Sequence, residues 1–170
     1  MWSPRIKILF IVLYFYFSPK SFCQEEHFNW FYGHLCGLSF QGNSVSNQNL
    51  SNMYTEECSA AISDDFGNLL FYTNGQEVFN KNYTLMPNGS GILGHVSSAQ
   101  GATILKMPGT VNKYYLFTLD AEFLSNGLRY SVIDMNLDNG LGDVTTKNVL
   151  INSTSTERLT IVKHSNNVGY

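Results

Sequence analysis

Residues 58–79, CSAAISDDFGNLLFYTNGQEVF, decide the fold. Residues 58–63 and 69–73 are short runs of strand length, rich in apolar and aromatic side chains. Between them Asp64-Asp65-Phe66-Gly67-Asn68 has the composition of a turn. Asn74-Gly75 follows, the strongest short hairpin dipeptide, because both residues tolerate a positive φ. Residues 76–79 then predict a third, short strand. The order strand, turn, strand, turn, strand is that of an antiparallel meander.

Working outward, the same order recurs. Residues 101–106 (GATILK) predict a strand, 107–113 a turn carrying Pro108 and Gly109, and 114–119 (YYLFTL) a second strand. A turn at Asn126-Gly127 leads into 128–136, where apolar and polar residues alternate, and 143–152 holds one more strand. Residues 158–164 (RLTIVKH) begin the pattern a third time. Residues 27–40 are aromatic and glycine-rich. Residues 41–52 read as a polar loop, and 81–94 as a loop centred on Pro87-Asn88-Gly89. Ile62, Ile104 and Ile161 take the same place in three aligned units. Their spacings fall in the range of propeller blades, about 40–50 residues for four strands, with the second interval somewhat longer. No stretch of useful length carries the 3.6-residue apolar period of a helix. The fold class expected is therefore all-β, with β-propeller-like repeated antiparallel blades. A closed propeller needs at least about four blades. This sequence supplies about two to three, so it reads as an incomplete propeller and a fragment or truncated product.

The N-terminus sets the compartment. Arg5 and Lys7 precede an apolar run at 8–17, Ser18-Pro19-Lys20 ends it, and Ser21 and Cys23 place small residues before Gln24. That is the order of a secretory signal peptide over residues 1–23, leaving 24–170 as one partial propeller-like domain. The apolar run falls short of the roughly 20 residues a membrane-spanning helix needs, so no stable span is expected after cleavage. Three of the ten basic residues leave with the signal, and the remainder is mildly acidic. No basic stripe is present, which argues against nucleic acid as a partner.

A longer set of residues resembles a known family. The run Asn29-Trp30-Phe31-Tyr32-Gly33, the segment 58–64, and Gly67-Asn68-Leu69-Leu70-Phe71-Tyr72-Thr73-Asn74-Gly75 are similar to the start of large surface proteins of Bacteroidetes-type bacteria. The similarity continues through Val78-Phe79-Asn80-Lys81-Asn82, Met86-Pro87-Asn88-Gly89, 127–135, 140–144 and Lys163-His164. The resemblance implies an N-terminal propeller-like domain, followed in such proteins by PKD-like modules and a type IX secretion or gliding-motility-associated C-terminal domain. It implies a secreted or cell-surface, adhesin-like protein, and it brings no catalytic residues.

Few constellations carry chemistry. Asp134, Asn136 and Asp138 are spaced like the opening of a calcium loop, but Asn139 stands where glycine belongs and Thr145 where the bidentate Glu belongs. The alternative is a hairpin turn with Asp and Asn bonded to local backbone. No cofactor or metal is expected, with calcium at these three residues a weak candidate. Residues 63–67 partly match the turn motif of sialidase-like propellers, but the mature chain has only Arg129 and Arg158 toward the three arginines of such a site. Export permits a disulfide between Cys36 and Cys58, and burial as free thiols is the alternative. The four histidines lack metal-ligand spacing. Trp30, Tyr32 and Tyr114 are the candidate binding aromatics for an extracellular glycan or protein, set against plain packing. The function expected is a non-enzymatic binding or scaffold module of a larger surface protein. The rival is a propeller-fold glycan hydrolase or lyase whose site lies in further blades.

Overall fold

The computed structural model of the protein describes residues 25–122 and 124–162. The expected signal peptide and the expected strand start at Val168-Gly169-Tyr170 lie outside the described residues, as do Lys163 and His164 of the third unit.

The fold is all-β. Among the described residues eleven strands form three antiparallel sheets, and helix is limited to two short 3-10 turns, Glu25–His27 and Asp138–Gly140. The first sheet is β1 (Asn29–Tyr32), β2 (Cys36–Gln41) and β3 (Ser44–Asn47). The second is β4 (Ala60–Ser63), β5 (Leu69–Thr73), β6 (Glu77–Asn80) and β7 (Leu85–Ser90). The third is β8 (Ala102–Lys106), β9 (Lys113–Leu119), β10 (Leu128–Asp134) and β11 (Asp143–Asn152). In each sheet the strands follow chain order from one edge to the other, and no sheet closes on itself.

The turns form for the reasons the sequence suggests. Asp64 Oδ1 accepts from the backbone N–H groups of Phe66 and Asn68, both at 2.9 Å, and Asn68 Nδ2 donates to Oδ2 at 2.9 Å. Asn74 Oδ1 accepts from Gln76 N (3.0 Å) and Glu77 N (2.8 Å), so one side chain holds the β5–β6 turn.

Two segments read as loops are strands. β3 is exposed throughout and carries one apolar residue, Val45, so no apolar alternation betrays it; pairing with β2 makes it a strand. β7 runs through Pro87-Asn88-Gly89 because it is an edge strand, where a residue without N–H is tolerated.

The second sheet lies between the other two. Across one face Phe31 and Met53 pack on Tyr72 and Phe79. Across the other Ile62, Phe71 and Val78 pack on Tyr114, Leu116 and Ile133. Phe71 and Tyr72 are adjacent and both fully buried, one on each face, as the two-residue period of a strand requires. Polar ties join the layers. Asn29 Nδ2 donates to Ser63 Oγ and to the Gly67 carbonyl, both at 2.9 Å. Asn88 donates to both oxygens of Asp143, from its backbone N at 2.9 Å and its Nδ2 at 2.8 Å.

Two carboxylates give the fold an acid limit. Burial pushes Asp64 upward, but hydrogen bonds from Asn68 and Phe66 and the Lys81 charge outweigh it and hold it below the usual carboxylate value. Asp134 is held low by the hydrogen bond from the Asn136 backbone, against some burial and with help from Lys113 at 3.1 Å. A depressed folded pKa contributes stability above the unfolded value of about 4 and loses it as pH falls through the folded one. The melting temperature is therefore expected to drop as pH falls below about 4. Asp64→Asn with Asp134→Asn should flatten that drop in a melting series across pH. An unchanged slope in the double variant would contradict the assignment.

Candidate functional site

The first strand of each sheet is an edge strand, and these edges meet. β1 lies against β4, and β4 against β8. Small side chains at Ala60, Ala61 and Ala102 permit the close approach. Where the edges converge they leave a groove of about 390 Å³. Its lining includes His27, Asn29, Trp30, Tyr32, Ser59 and Thr103, with Phe31, the three alanines and Ile104 as its apolar part. Among the described residues no Asp, Glu, Lys or Arg lines it.

Trp30 and Tyr32 are 55 % and 45 % exposed, on the face of β1 that points away from the second sheet. Trp30 is not loose: its indole Nε1 donates to the His27 carbonyl at 2.8 Å, and its ring meets Phe40 at 4.9 Å between centroids. Asn29 and Phe31 alternate inward and are structural.

Tyr114, expected with these as a binding aromatic, belongs to the core. It is 6 % exposed, pairs with Ile133 across the sheet, and meets Phe71 edge-on at 5.5 Å. Burial, with the charges of Glu26, Asp65 and Asp64, pushes its phenol upward. Its neighbour Tyr115 faces out and clusters with Phe117 and Tyr130 at 5.8 and 5.6 Å. Alternation separates the two tyrosines, and the register assigns the inner place to Tyr114.

The calcium candidates form a turn. Asp134 Oδ1 accepts from the Asn136 backbone N (3.0 Å) and Nδ2 (2.8 Å), and Oδ2 faces Lys113. Asn136 Oδ1 accepts from Asn112 at 2.7 Å. Asp138 stands beyond, in the 3-10 turn with φ 47°. Among the described residues no group of three or more His, Cys, Asp or Glu side chains is placed to hold a metal ion.

Cys36 and Cys58 do not form the disulfide considered from the sequence: both are free thiols. Cys36 is exposed on β2 of the first sheet, whereas Cys58 is fully buried between the second and third. Burial pushes the Cys58 thiol up to about 12, with a backbone hydrogen bond at Gly101 opposing the shift. A thiol-specific alkylating reagent is expected to modify Cys36 in the native protein and Cys58 only after unfolding, read by peptide mapping. Native labelling of Cys58 at the Cys36 rate would contradict this packing.

One pair was not legible in the sequence. Ser97 Oγ lies 2.8 Å from His95 Nδ1, the distance of a nucleophile and its base. The Ser97 backbone N–H also donates to that nitrogen at 3.2 Å, so the contact closes a local turn two residues long. A smaller pocket of about 180 Å³ lies beside Glu26, Asp64, Asp65, Lys106 and Tyr114.

Among the described residues no helix is long and apolar enough to cross a membrane. No protein-family model, no curated protein and no solved structure matches the chain.

Proposed function

We propose that this chain is a non-catalytic, exported binding module, and that it holds a neutral glycan in the groove where its first strands meet. The observation that carries the reading is the lining of that groove: two exposed aromatics, an imidazole and two hydroxyl side chains, with no ionic group among the described residues. A neutral sugar offers an apolar C–H face for an aromatic ring and hydroxyls for small polar partners. Its three sheets are consecutive blades of a propeller-like fold. Two successive four-stranded meanders, each starting from the shared groove, support that reading. The N-terminal residues 1–23 support export, and the resemblance to surface proteins supports an adhesive or scaffolding role outside the cell.

The purified chain is expected to bind neutral oligosaccharides on a glycan array. Ser59→Trp fills the groove from a position outside the strands and should weaken binding at least tenfold, with the melting temperature unchanged. Binding retained in full by that variant, or no binding to any arrayed sugar, removes the groove reading. Release of shorter sugars would replace binding by hydrolysis.

A further inference from the structure

The smaller pocket, of about 180 Å³, lies between the ends of the second and third sheets, and its walls come from separate stretches of chain. Glu26 reaches it from the first 3-10 turn, Asp64 and Asp65 from the β4–β5 turn, and Lys106 from the end of β8. Tyr114, near the start of β9, stands directly opposite Lys106 in the strand register. Three carboxylates against one ammonium leave the pocket with an excess of negative charge.

Tyr114 separates this pocket from an ordinary acidic surface. The residue is only 6 % exposed, yet among the described residues its hydroxyl makes no hydrogen bond. The three carboxylates whose charge acts on the phenol are the three that line the pocket, so the hydroxyl end faces into it. A hydroxyl so placed forgoes a hydrogen bond that a bound group can supply. Among the described residues Glu26, Asp65 and Lys106 form no ion pair. Asp64 differs: both of its oxygens already accept from Phe66 and Asn68 in its own turn, so it contributes charge rather than a free acceptor.

We infer that this pocket binds a primary alkylammonium group, held by Glu26 and Asp65 with the Tyr114 hydroxyl as a third acceptor. A compact ammonium carries three donors and no acceptor, which matches two free carboxylates and one phenolic oxygen. A metal ion fits less well, because among the described residues no group of three or more His, Cys, Asp or Glu is placed to hold one. At about 30 Å³ for a group the size of water, the space admits an ammonium and a short methylene stem. Leu70 and Met135 supply an apolar wall for that stem. A lysine side chain of another protein and a small free amine share this chemistry. Lys106 opposes either one, since like charges repel.

The test titrates the purified full chain with n-butylamine at neutral pH and constant ionic strength, read by two-dimensional NMR, with n-butanol as the uncharged control. Saturable shifts are expected at Lys106 and Tyr114 with the amine and none with the alcohol. Tyr114→Phe keeps the buried ring and should weaken binding at least about tenfold, the loss of one hydrogen bond to a charged group. Asp65→Asn alters an exposed side chain and should weaken it about two- to fivefold, and Lys106→Met should tighten it by a similar factor. These two surface variants carry the test if Tyr114→Phe does not fold. A single-lysine peptide that competes with n-butylamine, and stops competing once its lysine is acetylated, assigns the site to protein side chains; a peptide that never competes assigns it to free amines, and both results keep the proposal. Equal shifts with n-butanol, unchanged affinity in folded Tyr114→Phe, weaker binding in Lys106→Met, or no saturable shift at all overturns it. The pocket shares no lining residue with the groove, so amine binding and sugar binding succeed or fail separately.

Discussion

Tyr72→Ala is expected to cost about 3–5 kcal/mol of stability, the range for removing a large buried aromatic. Tyr72 is fully buried in the second strand of the central sheet. It stacks on Phe31 at 4.1 Å and on Phe79 at 5.2 Å, and its ring lies near Tyr83 at 6.3 Å. Its removal therefore opens a cavity at the contact that joins the first sheet to the second. The backbone on either side is fixed by strand pairing, so the space cannot collapse fully. The hydroxyl contributes separately. It accepts a hydrogen bond from the Asn52 backbone at 3.3 Å, so Tyr72→Phe should cost no more than about 0.5–1.5 kcal/mol. Urea denaturation of both variants, compared at constant m-value, separates ring from hydroxyl. A Tyr72→Ala cost below that of Tyr72→Phe would mean that the first sheet is not packed where the structure places it.

That interface was half legible in the sequence. β5 falls on the residues read as a strand, because Leu69–Thr73 combines strand-forming side chains with turn signals at both ends. The hydrophobic identity of Phe71 and Tyr72 was plain, and alternation requires them to face opposite ways. What each one meets was not, since that depends on which sheet lies on which side. The repeat shows the same limit. Ile62 and Ile104 occupy matching places in the sequence units, yet in the structure both turn into one interface, from opposite sides of it. Alignment by residue type ignored the strand phase, and a one-residue offset exchanges the faces of a strand. The register shift between Ile62 and Ser63 is one such irregularity. The groove was less legible still. Trp30 and Tyr32 could be suspected from type, but Ser59 and Ala61, at the start of the second sheet, and Thr103, in the first strand of the third, meet them only through the convergence of edge strands.

Gly75→Ala is expected to destabilise by about 2–5 kcal/mol, from two causes that add. The backbone there has φ +85°, a left-handed conformation that costs a residue with a Cβ about 1–2 kcal/mol. The added carbon would also stand 2.9 Å from the Cys58 sulfur, inside the core between the second and third sheets, where overpacking costs about 1–3 kcal/mol. The surroundings cannot readily give. Gly94 donates to the Gly75 carbonyl at 3.0 Å, and Asn74 and Thr73 hold the turn through three further hydrogen bonds to its backbone. Gly109→Ala isolates the first cause. Its φ is +75°, but nothing stands within 4 Å of an added carbon, so only the conformational cost of about 1–2 kcal/mol remains. Cys58→Ala isolates the second: combined with Gly75→Ala it removes the sulfur that the new methyl strikes, and the double variant should lose less than the sum of the two single losses. A strictly additive cycle would show that the methyl finds room beside Cys58, and the whole cost would then belong to the backbone.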